Sequence, residues 1–247
     1  MAVKPNRVHQ RRGRLRKWLR GALFLGLALA ACSLLLVLGL RFLPPPTSAF
    51  MLARQFEALR HGESQFVLKH TWRPLAQLPD TLVLAVIAAE DQRFPTHHGF
   101  DFEQLQKVLE DSSDKPLRGA STISQQLAKN LFLWSGRSFV RKGLEAWFTA
   151  LIEVSWPKRR IVEVYLNVVE FGDGIYGAEA AAQTFFQRPA KRLSTAQSAR
   201  LAAVLPSPRR FHAARPSAYV QRRQRWIEQQ MQQLGGTSYI APMLGSH

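Results

Sequence analysis

The chain has 247 residues, a net charge of +17 and a single cysteine. That length suits one domain of about 200 residues plus an extension, and one cysteine excludes an internal disulfide, so the fold must rest on its core. The charge is uneven: residues 1–20 hold eight basic residues and no acid, which leaves +9 for everything after them.

From Gly21 to Leu40 no residue is charged. Twenty helical residues reach about 30 Å, the thickness of a bilayer core. The basic flank before the run and Arg41 after it predict a membrane anchor over residues 21–43, with residues 1–20 as a cytoplasmic tail. A cleaved signal has an apolar stretch of roughly 7–15 residues, so the anchor is expected to remain on the chain. Leu29-Ala30-Ala31-Cys32 resembles a lipobox, but the uncharged run continues well past Cys32. The cysteine therefore reads as one more small residue of a spanning helix. A basic tail beside a span meets anionic lipid heads, and the chain carries no motif for nucleic acid.

Pro44-Pro45-Pro46-Thr47-Ser48 is a stiff spacer. Residues 44–78 read as linker and domain entry, and within them the pattern of 49–78 assigns no element. A domain over 79–247 follows. Asp80 is expected to cap a helix carrying Leu82, Val83, Val86 and Ile87 and ending near Glu90. Asp101 is expected to cap the next, with Phe102, Leu105, Val108 and Leu109 on one side. Helical spacing returns over 121–133, 138–155, 158–170, 176–186, 194–205 and 216–234, the last stopped by Gly235-Gly236. Strand-like alternation is scarce, so the fold class is mainly α.

Two runs carry chemistry. The first, Glu90-Asp91-Gln92-Arg93-Phe94 through His97-His98-Gly99, sets a carboxylate at the end of an apolar helix. Partial burial there would raise its pKa and suit it to proton transfer. The plainer alternative is a surface carboxylate beside Arg93. His97 and His98 diverge as chain neighbours and lack the spacing of metal ligands.

The second run is Gly119 to Asn130. It supplies a turn glycine, capping hydroxyls, and Gln126, Lys129 and Asn130 on one face opposite Ile123 and Leu127. Helix starts of this kind attract anions. Arg137 and Arg141 lie one turn apart and, with Lys129, could bracket a phosphate or pyrophosphate. Alternatively, Arg141 pairs with Glu145 within its helix. Glu163, between Val162 and Val164, is a second candidate functional carboxylate.

Glu90-Asp-x-x-Phe94-x-x-His97-x-Gly99, Gly119-x-Ser-Thr-Ile-x-Gln-Gln-x-x-Lys129-Asn130, Arg141-Lys142-x-x-Glu145 and Lys158-x-x-Ile161-x-Glu163-x-Tyr165-Leu-Asn167 resemble, in order and spacing, the motifs of the peptidoglycan glycosyltransferases of family 51. The likeness covers about residues 80–235 and points to the monofunctional biosynthetic branch. It implies a mainly α, lysozyme-like domain of two lobes behind one transmembrane helix. It also implies polymerisation of lipid II into β-1,4 glycan by inverting transfer, with release of undecaprenyl pyrophosphate.

By the same resemblance Glu90 matches the general base, Glu163 a second catalytic glutamate, and Lys129 and Arg137 the holders of the donor pyrophosphate. Asp91, Ser121, Thr122, Gln125, Gln126, Asn130, Arg141, Lys142 and Glu145 match further substrate-binding positions. No cofactor is demanded, although a divalent cation such as Mg2+ would suit a pyrophosphate donor.

The expected partners are lipid II, the growing glycan chain, the bacterial inner membrane and other proteins of cell-wall synthesis or division. The domain is expected to be periplasmic. Pro95 and Gln197 depart from the family pattern, where an aromatic residue and a glutamate are common. Two rivals compete with this reading. A lytic glycosidase would also use carboxylates in a cleft, but it needs neither a cationic face nor a tether. A non-enzymatic membrane scaffold would not need the acid-bearing motifs.

Overall fold

The computed structural model describes residues 7–103, 106, 121–136 and 138–245, with side chains from residue 16 onward. The first helix, α1 (Arg7–Phe42), contains a stretch from Arg16 to Phe42 that is long and apolar enough to cross a membrane, with mean hydropathy reaching 2.6. A helix apolar on all sides belongs either in a core or in lipid. Only 6% of this one is buried in the protein, which excludes the core.

The end of α1 nevertheless docks on the domain. Val37 is fully buried, and its carbonyl accepts from Trp156 Nε1 at 2.8 Å. Higher up, Trp147 Nε1 donates to Ser33 Oγ at 3.1 Å. The last carbonyls of a helix have no partner within it. Here Arg160 supplies one, donating Nη2 to Leu40 O at 2.9 Å and to Leu43 O at 2.6 Å.

The residues that sequence pattern left unassigned contain α2 (Ala49–His61), capped by Ser48, and β1 (Lys69–His70). The apolar helix α3 spans Asp80–Glu90. Asp80 is its first residue and not its cap, a place taken by Pro79 without a side-chain bond. Asp80 still favours the helix, as a negative charge in the first turn. Then come α4 (Ile123–Phe132), α5 (Phe139–Ser155) and α6 (Lys158–Val168).

A small sheet follows, with β2 (Glu170–Gly172) and β3 (Ile175–Tyr176). Its order is β1-β3-β2, parallel between β1 and β3 and antiparallel between β2 and β3. Strands of two or three residues are too short to leave an alternating signature. The chain finishes with α7 (Ala178–Phe186), α8 (Thr195–Val204), α9 (Ala218–Gln233) and α10 (Ala241–Leu244). The mainly α class expected from sequence is what the chain adopts. The helix expected after Asp101 lies largely outside the described residues.

Two packed groups position the site. Every residue of α3 from Leu82 to Ala88 is buried, because α8 and α9 cover it. On the other side α4 packs against α5 and α6. Gly177, at φ 83°, allows the turn from the sheet into α7: a Cβ there would stand 2.7 Å from Asn167 O. Gln197, the departure from the family pattern, completes a capping box with Ser194 at the start of α8, a service an amide performs as well as a carboxylate.

Arg160 is 11% exposed and also pairs with Glu163 at 2.5 Å. We predict that Arg160→Ala destabilises the full-length protein by about 2–3 kcal/mol, the scale of charge-assisted hydrogen bonds to groups left unsatisfied. Denaturant unfolding in detergent micelles checks this, and an unchanged midpoint would remove Arg160 from the docking.

Candidate active site

Glu90 ends α3, where the buried helix reaches the edge of the core, and its side chain is 12% exposed. Burial pushes its pKa above the usual carboxylate range. Three groups pull the other way: a hydrogen bond from Gln126 first, then Arg223, then the charge of Lys129. Gln126 Nε2 donates to Oε2 at 2.9 Å, and Arg223 Nη2 approaches Oε1 at 3.3 Å. Gln126 is itself oriented by Tyr165, whose hydroxyl donates to Oε1 at 2.9 Å. Burial holds the Tyr165 pKa well above its ordinary value, so the phenol stays a donor. Arg93 is turned away, pairing with Asp101 and Glu103.

The local sequence explains how Gln126 comes to face Glu90. Thr122 and Gln125 form a capping box at the start of α4. Thr122 Oγ1 also donates to Gly99 O at 2.7 Å. Asp91, buried next to Glu90, accepts from Ile123 N at 2.9 Å and so fastens the first turn of α4 to the end of α3. Its other bonds come from His97 Nε2 at 2.9 Å, and Gly99 N donates to His97 Nδ1 at 3.0 Å. The Nδ1 therefore accepts, and the ring proton sits on Nε2 facing Asp91. Gly99 has φ 86°, and a Cβ there would meet the Glu153 side chain at 2.8 Å. The first motif thus folds back on itself to hold α4 against the candidate base.

Lys129 lies one turn after Gln126. Burial lowers its pKa, the charge of Glu145 raises it, and Arg141 and Lys142 lower it again. Its Nζ stands 5.6 Å from the Phe50 ring. From α5, Arg141 pairs with Glu145 at 2.7 Å, and Lys142 pairs with the same carboxylate. Glu145 is 3% exposed. Three cations around one buried acid leave a positive surplus beside Glu90. Ser121 is exposed at the entry to α4, and Asn130 is buried. Arg137 lies outside the described residues.

Glu163 is directed elsewhere. Two residues apart on a helix, Glu163 and Tyr165 point to different sides. Tyr165 reaches Gln126, whereas Glu163 accepts from Leu75 N at 2.8 Å and from Arg160. The Asp91, Thr122 and Gln125 side chains are likewise committed to contacts within the protein. Sequence reasoning missed Arg223, which is 133 residues from its partner. A signal existed: Arg223 falls three residues after Val220 and four before Ile227, both fully buried, and so shares their helix face.

A largely buried carboxylate with raised proton affinity is suited to accept a proton, and the adjoining cations can hold an anion. Among the described residues no three acidic, histidine or cysteine side chains gather as a metal-holding group.

Asp91→Ala is expected to cost about 2–3 kcal/mol of stability, because two buried donors lose their acceptor. Thermal unfolding measures it. Activity lost without a change in unfolding temperature would instead return Asp91 to direct substrate contact.

Comparison with known proteins agrees with this geometry. Residues 59–232 match the family model described as Transglycosylase. The chain is 57% identical to a protein of Xanthomonas campestris pv. campestris (strain B100) named biosynthetic peptidoglycan transglycosylase, over 92% of this chain and 93% of that one. Proteins of the same name in Chromohalobacter salexigens and Ectopseudomonas mendocina are 57% and 59% identical over 92% of this chain, covering 97% and 93% of theirs. The chain is an enzyme of the transglycosylase family.

Proposed function

We propose that the enzyme is a peptidoglycan glycosyltransferase that polymerises lipid II. The observation that carries this is a buried carboxylate within the charge field of a cationic cluster: Glu90 feels the charge of Lys129, and Arg141 and Lys142 lie around Glu145 beside that lysine. In the proposed reaction the acceptor hydroxyl oxygen attacks C1 of the donor sugar as the C1–O bond to pyrophosphate breaks. Glu90 takes the hydroxyl proton. The electron pair of the broken bond leaves on undecaprenyl pyrophosphate, and a single displacement turns the α linkage into β.

Pyrophosphate is already a good leaving group, so charge neutralisation matters more than a proton donor. Lys129 and Arg141 supply it, and Arg137 is given the same role by the family resemblance alone. Glu163, held by Arg160 and the Leu75 amide, lends support only through its charge at longer range. A divalent cation would bind chiefly through the pyrophosphate oxygens of the substrate itself.

The anchor keeps the site beside a substrate that is also held in a bilayer. The basic tail favours an N-terminus in the cytoplasm, with the domain on the periplasmic side of the bacterial inner membrane. The lytic reading is separated by substrate: a polymerase makes glycan from lipid II and leaves finished sacculi intact.

Glu90→Gln keeps the shape but cannot take the proton, and it offers one acceptor oxygen in place of the two that Gln126 and Arg223 use. Polymerisation of lipid II should fall by at least ~10²-fold, while lipid II binding persists. Burial disfavours the charged carboxylate, so between the ordinary pKa and the raised one the native state binds more protons than the unfolded chain. Stability therefore falls as pH rises through that window. The variant should accordingly melt no lower than wild type at neutral pH. A folded Glu90→Gln enzyme at near wild-type rate would sink the mechanism.

Lys129→Ala should lower kcat/KM for lipid II by about 10²–10³-fold, the scale of a lost transition-state donor. Steady-state kinetics at constant ionic strength reads this, and normal turnover would remove Lys129 from the pyrophosphate clamp.

A further inference from the structure

Of the three arginines on α9, Arg222 and Arg225 are exposed, while Arg223 turns inward. Its Nη2 is 3.3 Å from Glu90 Oε1 and 3.4 Å from Ala89 O. Its Nε is buried without a hydrogen-bond partner. A buried unmatched donor costs stability, so packing alone does not account for a guanidinium here.

Its helix is fixed firmly against the end of α3. Gln92 Nε2 donates to Gln230 Oε1 at 3.0 Å, and the Tyr239 hydroxyl donates to Gln92 O at 2.7 Å. Arg200 Nε donates to Gln224 Oε1 at 2.8 Å, which ties α9 to α8.

We propose that Arg223 is a positioning residue for the glycosyl transfer: from α9 it grips the Glu90 oxygen that Gln126 does not bond, so that two elements fix the carboxylate in one orientation toward the acceptor hydroxyl. This rests on Glu90 being the base. The groups that face Glu90 are Gln126 and Lys129 from α4, Tyr165 from α6 and Arg223 from α9, with Asp91 beside it in the chain. Tyr239, from the 3-10 turn Gly236–Tyr239 that follows α9, donates its hydroxyl to the Gln92 carbonyl. Lys129 acts on Glu90 through charge, and Arg223 is the cation in direct ion-pair contact with it among the described residues. A guanidinium so placed both orients the carboxylate and favours its ionised form, which offsets part of the desolvation.

The test is the pH dependence of kcat/KM for lipid II polymerisation by full-length wild type, Arg223→Gln, Arg223→Lys and Glu90→Gln in detergent micelles. In Arg223→Gln the acidic limb should move up by about one pH unit. Its rate should fall roughly tenfold on that limb and approach wild type near about pH 9. Arg223→Lys should restore the limb at least halfway, and KM should change little in either variant.

A uniform loss at every pH with the limb in place, or a profile identical to wild type, overturns the proposal. Arg223→Met serves the same comparison if the amide variant does not fold. Glu90→Gln separates the two ideas. If it polymerises with a wild-type profile, the reading of Glu90 as base has failed. If it is inactive and the Arg223→Gln limb does not move, only the role of Arg223 has failed.

Discussion

The rest of the site depends on where α3 places Glu90. Seven consecutive buried residues drive the helix through the core, and the carboxylate comes at its last turn, where solvent is scarce. A desolvated carboxylate needs donors, and α3 has none to give. They come from Gln126 on α4 and Arg223 on α9, so both helices must be held to the end of α3 with little freedom. The Asp91–His97 pair, the bond from Ile123 N to Asp91 and the Thr122–Gln125 capping box hold α4. Gln230, Gln92 and Tyr239 hold α9. Much of the first two motifs is therefore scaffold for one oxygen pair.

Helix α6 joins that scaffold to the membrane. Tyr165 on one side of it orients Gln126. On another side Arg160 closes the C-terminal carbonyls of the anchor and binds Glu163, which in turn accepts from Leu75 N. Asn167 continues the same attachment, exchanging two hydrogen bonds with the backbone of Arg73. A helix packed at native density transmits displacement more readily than it bends. The C-terminal end of α1 is thus built into the domain and is not a free tether.

The elements most legible from sequence were those with strong periodicity or unambiguous caps. The helices over 123–132, 139–155, 158–168 and 195–204 lie within one or two residues of where apolar spacing put them. The failures have physical causes. Helix α2 is half apolar and pairs its buried Arg54 with Glu63 and Asp173, so charge that reads as surface is inside. The sheet is held by backbone pairing over two or three residues, which side-chain pattern cannot report. The nearness of Gln126 and Lys129 to Glu90 could be anticipated from the motifs, which set them on one face of a single helix. For Arg223 the spacing from Val220 and Ile227 could tell that it shares the buried face of its helix, but not that its partner lies 133 residues away. Glu163, which the resemblance makes a second catalytic glutamate, accepts in the fold from Leu75 N and from Arg160.

Glu90 and Lys129 are shifted in opposite directions by the same cause. Burial disfavours charge on both, raising the proton affinity of the acid and lowering that of the amine, while each partly restores the other. A pyrophosphate entering beside Lys129 would change that balance. Its negative charge would favour the ammonium form and, by Coulomb repulsion, raise the proton affinity of Glu90 further. Donor binding would then strengthen both members together, the cation as a clamp and the carboxylate as a base. The cationic surplus left around Glu145 would oppose that second shift, so the proton affinity of Glu90 would rise less than the anion alone would raise it.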